Sequence, residues 1–276
     1  MLANVADMSN KGVDASISAQ IFTGKFRWTS TLNLGNNKNI VTNVYNKVAR
    51  YSSDPSIAAV LKVGVSTSAI WGFRYAGVDK TTGYEQYYDN TGKVVLATQL
   101  DRTPTNAYSL GDRLPKVQGG FINSFSYEGI SLTVNLIYNI GGYLLIDYNN
   151  ENNGRNLSNR NQSVNLLDRW QKPGDIATIP RLASGINGTG NPIVANSSRY
   201  VYDNTYIKVS NVSLAYSLPK RITRNLGGMS LTVYGNGTNL FYWYKEKSPA
   251  GRNGIKEYRF SFPESQTFTW GVKVGI

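Results

Sequence analysis

The chain has no cysteine and no histidine. Those two absences exclude disulfides, thiol nucleophiles, Ser-His and Cys-His catalysis, and zinc held by Cys or His ligands. Charge is also scarce, at 17% of residues, against roughly 25% in an average soluble domain. No run approaches the ~18 consecutive apolar residues of a membrane-spanning helix. MLANVADMSNKG at the start lacks the basic head and apolar core of a signal peptide. A membrane reading therefore survives only as a closed β-barrel, the other structure that satisfies every backbone group in lipid. The net charge of +12 invites a nucleic-acid reading, but no Lys/Arg-rich block occurs. The basic residues are spread one or two at a time and read as solvated charges rather than as a nucleic-acid footprint.

What the chain does have is alternation. Hydrophobic residues make up 41%, too many for a disordered chain, and many recur at every second position, the period of a strand with one apolar face. Val13, Ala15, Ile17, Ala19 and Ile21 alternate with polar residues; after a short turn, Phe26, Trp28, Leu32 and Leu34 do the same. Phe121, Phe125 and Tyr127 share a face before Glu128-Gly129. Ile130, Leu132, Val134, Leu136, Tyr138 and Ile140 follow on the next strand, with Ile137 the one apolar residue out of phase. In YIKVSNVSLAYSL the phase slips at Ser210-Asn211, which predicts a β-bulge. SLTVYGNGTNLFYW and the terminal TFTWGVKVGI complete seven strands, the last carrying Phe268, Trp270, Val272 and Val274 on one face.

The connections alternate in length. Segments 22–25, 128–129 and 219–229 are short, while 36–118, 141–199 and 243–264 are long and rich in Asn, Gly, Tyr and Arg. Short turns at one end and long loops at the other predict an all-β, antiparallel up-and-down transmembrane β-barrel segment with long extracellular loops. The run 130–140, rising ~3.3 Å per residue and tilted ~45°, covers roughly 25 Å of membrane height. Phe121, Phe125, Leu132, Val134, Leu136, Val212, Leu214, Phe268, Trp270, Val272 and Val274 are then the lipid-facing rows. Phe26, Trp28, Tyr127 and Tyr216 fall at the short-turn end, where an aromatic girdle belongs. The rival is a soluble all-β carbohydrate-binding module, which would bury the same rows between two stacked sheets.

Several stretches resemble the C-terminal part of SusC/RagA-type TonB-linked outer-membrane transporters. They are DMSNKGVDASISAQ, WGFRYAGVDKTTGYEQYYDNTGKVV, LPKVQGGFINSFSYEGISLTVNLIYNIGG, DNTYIKVSNVSLAYSLPK, LTVYGNGTNLF and TFTWGVKV, in that order along nearly the whole chain. The resemblance implies that residues 1–276 form about the last seven strands of a 22-stranded barrel, without the plug and N-terminal domains. It also implies import of glycans or oligopeptides across the outer membrane of a Gram-negative cell. The implied partners are a SusD-like surface lipoprotein over the mouth and the TonB complex, reached through the missing plug. No enzyme activity, cofactor or nucleic acid is implied. Seven strands do not close around a plug-sized lumen, so the chain alone is expected not to transport.

Candidate ligand contacts are the loop aromatics Trp71, Phe73, Tyr75, Tyr87, Tyr88, Trp170 and Trp243. Their faces could stack on sugar rings, or they could instead pack the loops' own small cores. Asp79–Gly83 and Asp89–Gly92 predict hairpin turns, which favours such a core. Glu85 and Asp89 could pair as carboxylates for glycoside hydrolysis, but turn chemistry explains them as well. DYNNENN at 147–153 is oxygen-rich but lacks the Gly and Glu positions of an EF-hand loop. GINGTGNP at 185–192 is not a dinucleotide-binding fingerprint.

Overall fold

A computed structural model describes residues 6–45, 49–50, 60–103, 106–146, 164–182, 194, 196–224, 227, 229–246 and 264–275. The chain begins with a long hairpin, β1 (Ala6–Thr23) and β2 (Phe26–Val44). Seven short strands follow: β3 (Ala49–Arg50), β4 (Val60–Leu61), β5 (Ala69–Gly72), β6 (Arg74–Val78), β7 (Glu85–Tyr88), β8 (Val94–Leu96) and β9 (Tyr108–Asp112). Next come β10 (Val117–Tyr127), β11 (Ile130–Ile140), β12 (Tyr143–Leu145) and β13 (Val201–Asp203). The chain closes with β14 (Tyr206–Ser217), the single helical turn α1 (Lys220–Thr223), β15 (Ser230–Tyr244) and β16 (Thr267–Gly275).

The long strands form one seven-stranded sheet in the order β1-β2-β10-β11-β14-β15-β16. Neighbours in this sheet are successive long strands of the chain, and the registered pairs are antiparallel. This is the up-and-down meander that the loop parity predicts. β10 and β11 turn through Glu128 (φ 45°) and Gly129 (φ 87°), the two-residue hairpin with both central residues left-handed. A side chain at 129 would also meet the Ser217 carbonyl, with its Cβ 2.6 Å away. The predicted bulge is present: the register shifts between Asn135 and Leu136 against β14, and between Val209 and Asn211 against β15.

The first hairpin differs from expectation in length. Alternation is clear only over 13–21 and 26–34, yet the strands run on to Ala6 and Val44. Past Leu34 the sequence reads GNNKN, polar on both faces. Strand pairing continues there because backbone hydrogen bonds need no apolar face, and beyond it Val41 and Val44 are buried in a small core with Leu61.

The chain divides into two units. One contains Lys11–Lys38, Leu114–Gly142 and Asp203–Ile276 and holds most of the long sheet; we call it the sheet unit. The other contains Met1–Asn10, Asn39–Arg113 and Tyr143–Tyr202. This loop unit carries the two-stranded β5-β9 and three-stranded β6-β7-β8 sheets around its own apolar cores.

Candidate functional site

The register decides which side chains share a face. Leu32, Phe121, Leu136, Val209 and Phe241 lie in one row across β2, β10, β11, β14 and β15. Trp28, Phe125, Leu132, Leu214, Gly235 and Trp270 lie in another. Continuing the pairing puts all eleven residues expected to face lipid on one face, Phe121 through Val274. That face is not a core: Leu214 is 53% exposed, Phe268 63% and Trp270 83%. At the short-turn end the rings of Phe22, Phe26, Trp28 and Phe125 cluster with centroids 5.6–6.3 Å apart, and Tyr127 and Tyr216 stand on the same face there. One polar side chain, Asn123, is buried in this face, and its Oδ1 accepts from Trp28 Nε1 at 3.0 Å. The amide thus has a partner where neither water nor apolar neighbours could supply one.

The opposite face is polar. Its hydroxyls and amides pair across strands: Ser16 with Asn33, Ser18 with Thr31, Arg27 with Ser126, Ser124 with Thr133, and Ser217 with Thr232. Arg27 and Lys273 stand on this face, so the register keeps their charges off the apolar one. Toward the long-loop end, Tyr242 and Tyr244 stack with centroids 5.8 Å apart and planes 3° from parallel. Lys208 lies over Tyr242 and pairs with Glu264.

The loop unit uses the aromatics differently from a stacking platform. Tyr87 is 0% exposed, Phe73 5%, Trp71 7% and Trp170 9%, so none of the four has a ring face open to a ligand. Phe73 and Tyr87 form a core with Ala97, Leu100 and Val194, and Trp71 packs with Ala69. Trp170 donates from Nε1 to the Lys80 carbonyl at 3.0 Å and covers the Gly83 backbone. Tyr75 and Tyr88 are half-buried, and Arg74 lies over the Tyr88 ring. Trp243 is not in a loop at all: it stands in β15 opposite Ile207, on the apolar face, 59% exposed.

An ion pair that sequence reasoning missed lies in this core. Glu85, 0% exposed, pairs with Arg199 and accepts from the Tyr87 hydroxyl at 2.5 Å. Arg199 also lies over the rings of Tyr75 and Tyr200. Burial pushes the Glu85 carboxyl above its ordinary range, opposed by the Arg199 charge. Burial likewise pushes Tyr75 up to about 12. The partners are 114 residues apart in sequence, and no local pattern marks them. Glu85 is thereby committed to Arg199 and Tyr87, while Asp89 caps its own turn, accepting from the backbone of Thr91 and Lys93. The carboxylates are not arranged as a hydrolytic pair. Both predicted turns form, closed by Gly83 N to Asp79 O and Gly92 N to Asp89 O. Among the described residues no group of three acidic, His or Cys side chains could hold a metal, and no helix is long and apolar enough to cross a membrane. DYNNENN and GINGTGNP lie outside the described residues.

No family model matches the chain. Curated relatives do. TonB-dependent receptor P26 of Formosa agariphila is 28% identical over 303 residues, which is 99% of this chain and 30% of that protein. TonB-dependent receptor SusC of Bacteroides thetaiotaomicron is 23% identical over 287 residues, covering 99% of this chain and 27% of SusC. The solved structure of the RagAB peptide transporter superposes with a TM-score of 0.79 at 21% identity, over 99% of this chain and 29% of that one. The chain spans about three tenths of the length of the curated relatives it matches. Along essentially its whole length the chain is similar in sequence to TonB-dependent receptors, SusC among them, and similar in fold to the RagAB transporter.

Proposed function

We propose that this chain is the C-terminal part of the barrel wall of an outer-membrane, TonB-dependent importer of glycans or oligopeptides. Its seven strands are about the last third of a 22-stranded barrel. The apolar face meets acyl chains, the polar face lines the lumen, and the loop unit belongs to the extracellular rim. A SusD-like surface lipoprotein closes the mouth, and TonB acts on a plug supplied by the rest of the receptor. Phe26, Trp28, Tyr127 and Tyr216 form the periplasmic aromatic girdle. Tyr75 and Tyr88 are the loop aromatics left to meet substrate, since Trp71, Phe73, Tyr87 and Trp170 are core residues.

One observation carries this reading. A meander of seven strands segregates its apolar residues onto one face and leaves that face without a covering sheet, half-buried in the central strands and up to 83% exposed at Trp270 on the edge strand. In water such a surface is an aggregation site; in a bilayer it is the outside of a barrel. A soluble sugar-binding module would need these rows under a second sheet, and their exposure speaks against it.

The test uses a version of the intact receptor in which Trp270 is the sole tryptophan. In bilayers of lipid brominated along its acyl chains, Trp270 fluorescence is expected to be strongly quenched, and a sole tryptophan at Thr269, on the other face, is not. Equal quenching at both positions, or none at Trp270, overturns the assignment of faces.

A further inference from the structure

Ile137 is the apolar residue that breaks the alternation of β11, and the lipid-facing role of its neighbours leaves it unexplained. It stands on the polar face, 38% exposed, opposite Lys208. It lines a cavity of about 590 Å³ over the polar face of the sheet unit, together with Asp14, Asn33, Gln118, Asn139 and Tyr206. The floor is made by side chains that are absent. The register sets Gly35, Gln118, Asn139 and Tyr206 in one row, and Asn33, Gly120, Ile137 and Lys208 in the next. Gly35, which lines the cavity, leaves a gap in the first row, and Gly120 carries no side chain between Asn33 and Ile137 in the second. The Asp14 carboxylate occupies the first gap: a Cβ on Gly35 would lie 2.6 Å from its Oδ1. The cavity sits toward the end of the sheet from which the long connections leave, because Asn139 and Tyr206 are the strand residues next to them.

We propose that this groove is a subsite for a neutral oligosaccharide on the lumen wall, with one sugar ring against Ile137 and Tyr206. The proposal rests on the importer reading and names its substrate class. Asn33, Gln118 and Asp14 supply what adjacent hydroxyls require. Each amide offers donors and an acceptor in one plane, and the carboxylate accepts from two neighbouring hydroxyls. Ser16 donates to Asn33 Oδ1 at 2.7 Å and holds that amide in orientation. Ile137 and the half-buried Tyr206 give the apolar contact that a sugar's C–H face needs. The stacked Tyr242 and Tyr244 extend the aromatic surface from Tyr206, whose ring centroid is 6.0 Å from that of Tyr244.

A peptide fits the groove less well. Strand addition needs a free edge, and β2, β10, β11 and β14 are interior strands whose backbone is already paired. Charge clamping of both peptide termini needs opposite charges. Among the described residues Asp14 is the one charged side chain lining the cavity, and the nearby Lys208 is paired with Glu264.

The test is binding of the intact detergent-purified receptor to an array carrying maltoheptaose, xylohexaose, mannan fragments and other neutral oligosaccharides, beside an array of random hexapeptides. At least one oligosaccharide is expected to be retained. Gln118→Leu and Ile137→Asn each weaken that retention at least tenfold. Lys273→Gln, on the same face near the short-turn end, leaves it unchanged. The heat-modifiable gel shift of a folded barrel reports folding for every variant. Folded variants that bind as the wild type does overturn the groove. Retention of peptides with no oligosaccharide bound, or no retention on either array by a receptor that folds in the outer membrane, overturns the substrate class and leaves the importer reading intact. A receptor absent from the outer membrane overturns both.

Discussion

The two units of this chain treat the same kinds of side chain in opposite ways. In the loop unit Tyr87 and Ile70 are 0% and 1% exposed, and even a carboxylate, Glu85, is drawn into the core with its cation. In the sheet unit Phe241, Phe268 and Trp270 are 71%, 63% and 83% exposed, while hydroxyls and amides gather on the other face. The loop unit is built as a water-soluble domain is, with apolar groups inside. The sheet unit keeps its apolar groups on one face and its polar groups on the other, the arrangement that the proposed barrel wall requires, with acyl chains on one side and water on the other. Composition alone does not separate them, since both are rich in Tyr, Gly and Asn. What differs is where each segment finds a low-dielectric partner: in another part of the chain, or outside it.

The sharpest way to break this comparison is Arg199→Met. It strands the buried Glu85 carboxylate, and removing one partner of a buried pair costs about 3–5 kcal/mol. Amide hydrogen exchange is expected to show lost protection around Tyr87 and Val95, with β11 and β14 unaffected. Loss of protection in both units would mean that they fold as one.

Val134→Lys tests the other half. A lysine facing lipid near the bilayer midplane costs about 2–4 kcal/mol, whereas Thr133→Lys, one residue away on the polar face, is expected to be nearly neutral. Urea titration of the receptor in bilayers measures both, and equal costs would cancel the distinction between the faces. Trp28→Phe is milder. It leaves the Asn123 amide without its indole donor, at about 1–3 kcal/mol. Adding Asn123→Leu is expected to recover most of the loss, because the unmet polar group is then gone.

The smallest effect is on acidity, in the loop unit. Glu85 is raised from its ordinary 4.5 by burial, so its carboxyl holds a proton more tightly folded than unfolded. Its contribution is complete below about 4.5 and is lost as pH rises through the folded value. Protection at Tyr87, corrected for intrinsic exchange, is therefore expected to increase as pH falls from 7 toward 4.5, and Glu85→Gln flattens the trend. Asp79 has the opposite sign. The Thr82 hydroxyl and backbone N–H hold it below 3.8, so its share persists above that value and fades as pH falls through the folded one.

The sheet was legible in the sequence because alternation, turn chemistry and loop parity agree there. Glu128-Gly129 marked its hairpin, and Ser210-Asn211 marked the bulge. The full length of β1 and β2 was not legible, since GNNKN interrupts the apolar period and the burial of Val41 and Val44 beyond it depends on the distant Leu61. The burial of four aromatic candidates was not legible for another reason. Trp71, Phe73, Tyr87 and Trp170 have the composition of a sugar platform, but composition does not say whether a ring is covered. Trp243 was counted with the loop aromatics because it stands where the run SLTVYGNGTNLFYW meets the long connection 243–264, and β15 carries it as strand to Tyr244. The anomaly at Ile137 was visible from the start, but its neighbours across the sheet were not.

The sequence by itself determined the seven-strand order, the faces and the turns of the long sheet, because adjacent strands pair and a period of two assigns every side chain to one side. Only the tertiary structure decided that Glu85 meets Arg199 across 114 residues, that four candidate aromatics are core, and that Gly35 lies in one groove with Ile137 and Tyr206. Those contacts join segments distant along the chain. Nothing in the local pattern of either partner encodes the other; the backbone path brings them together.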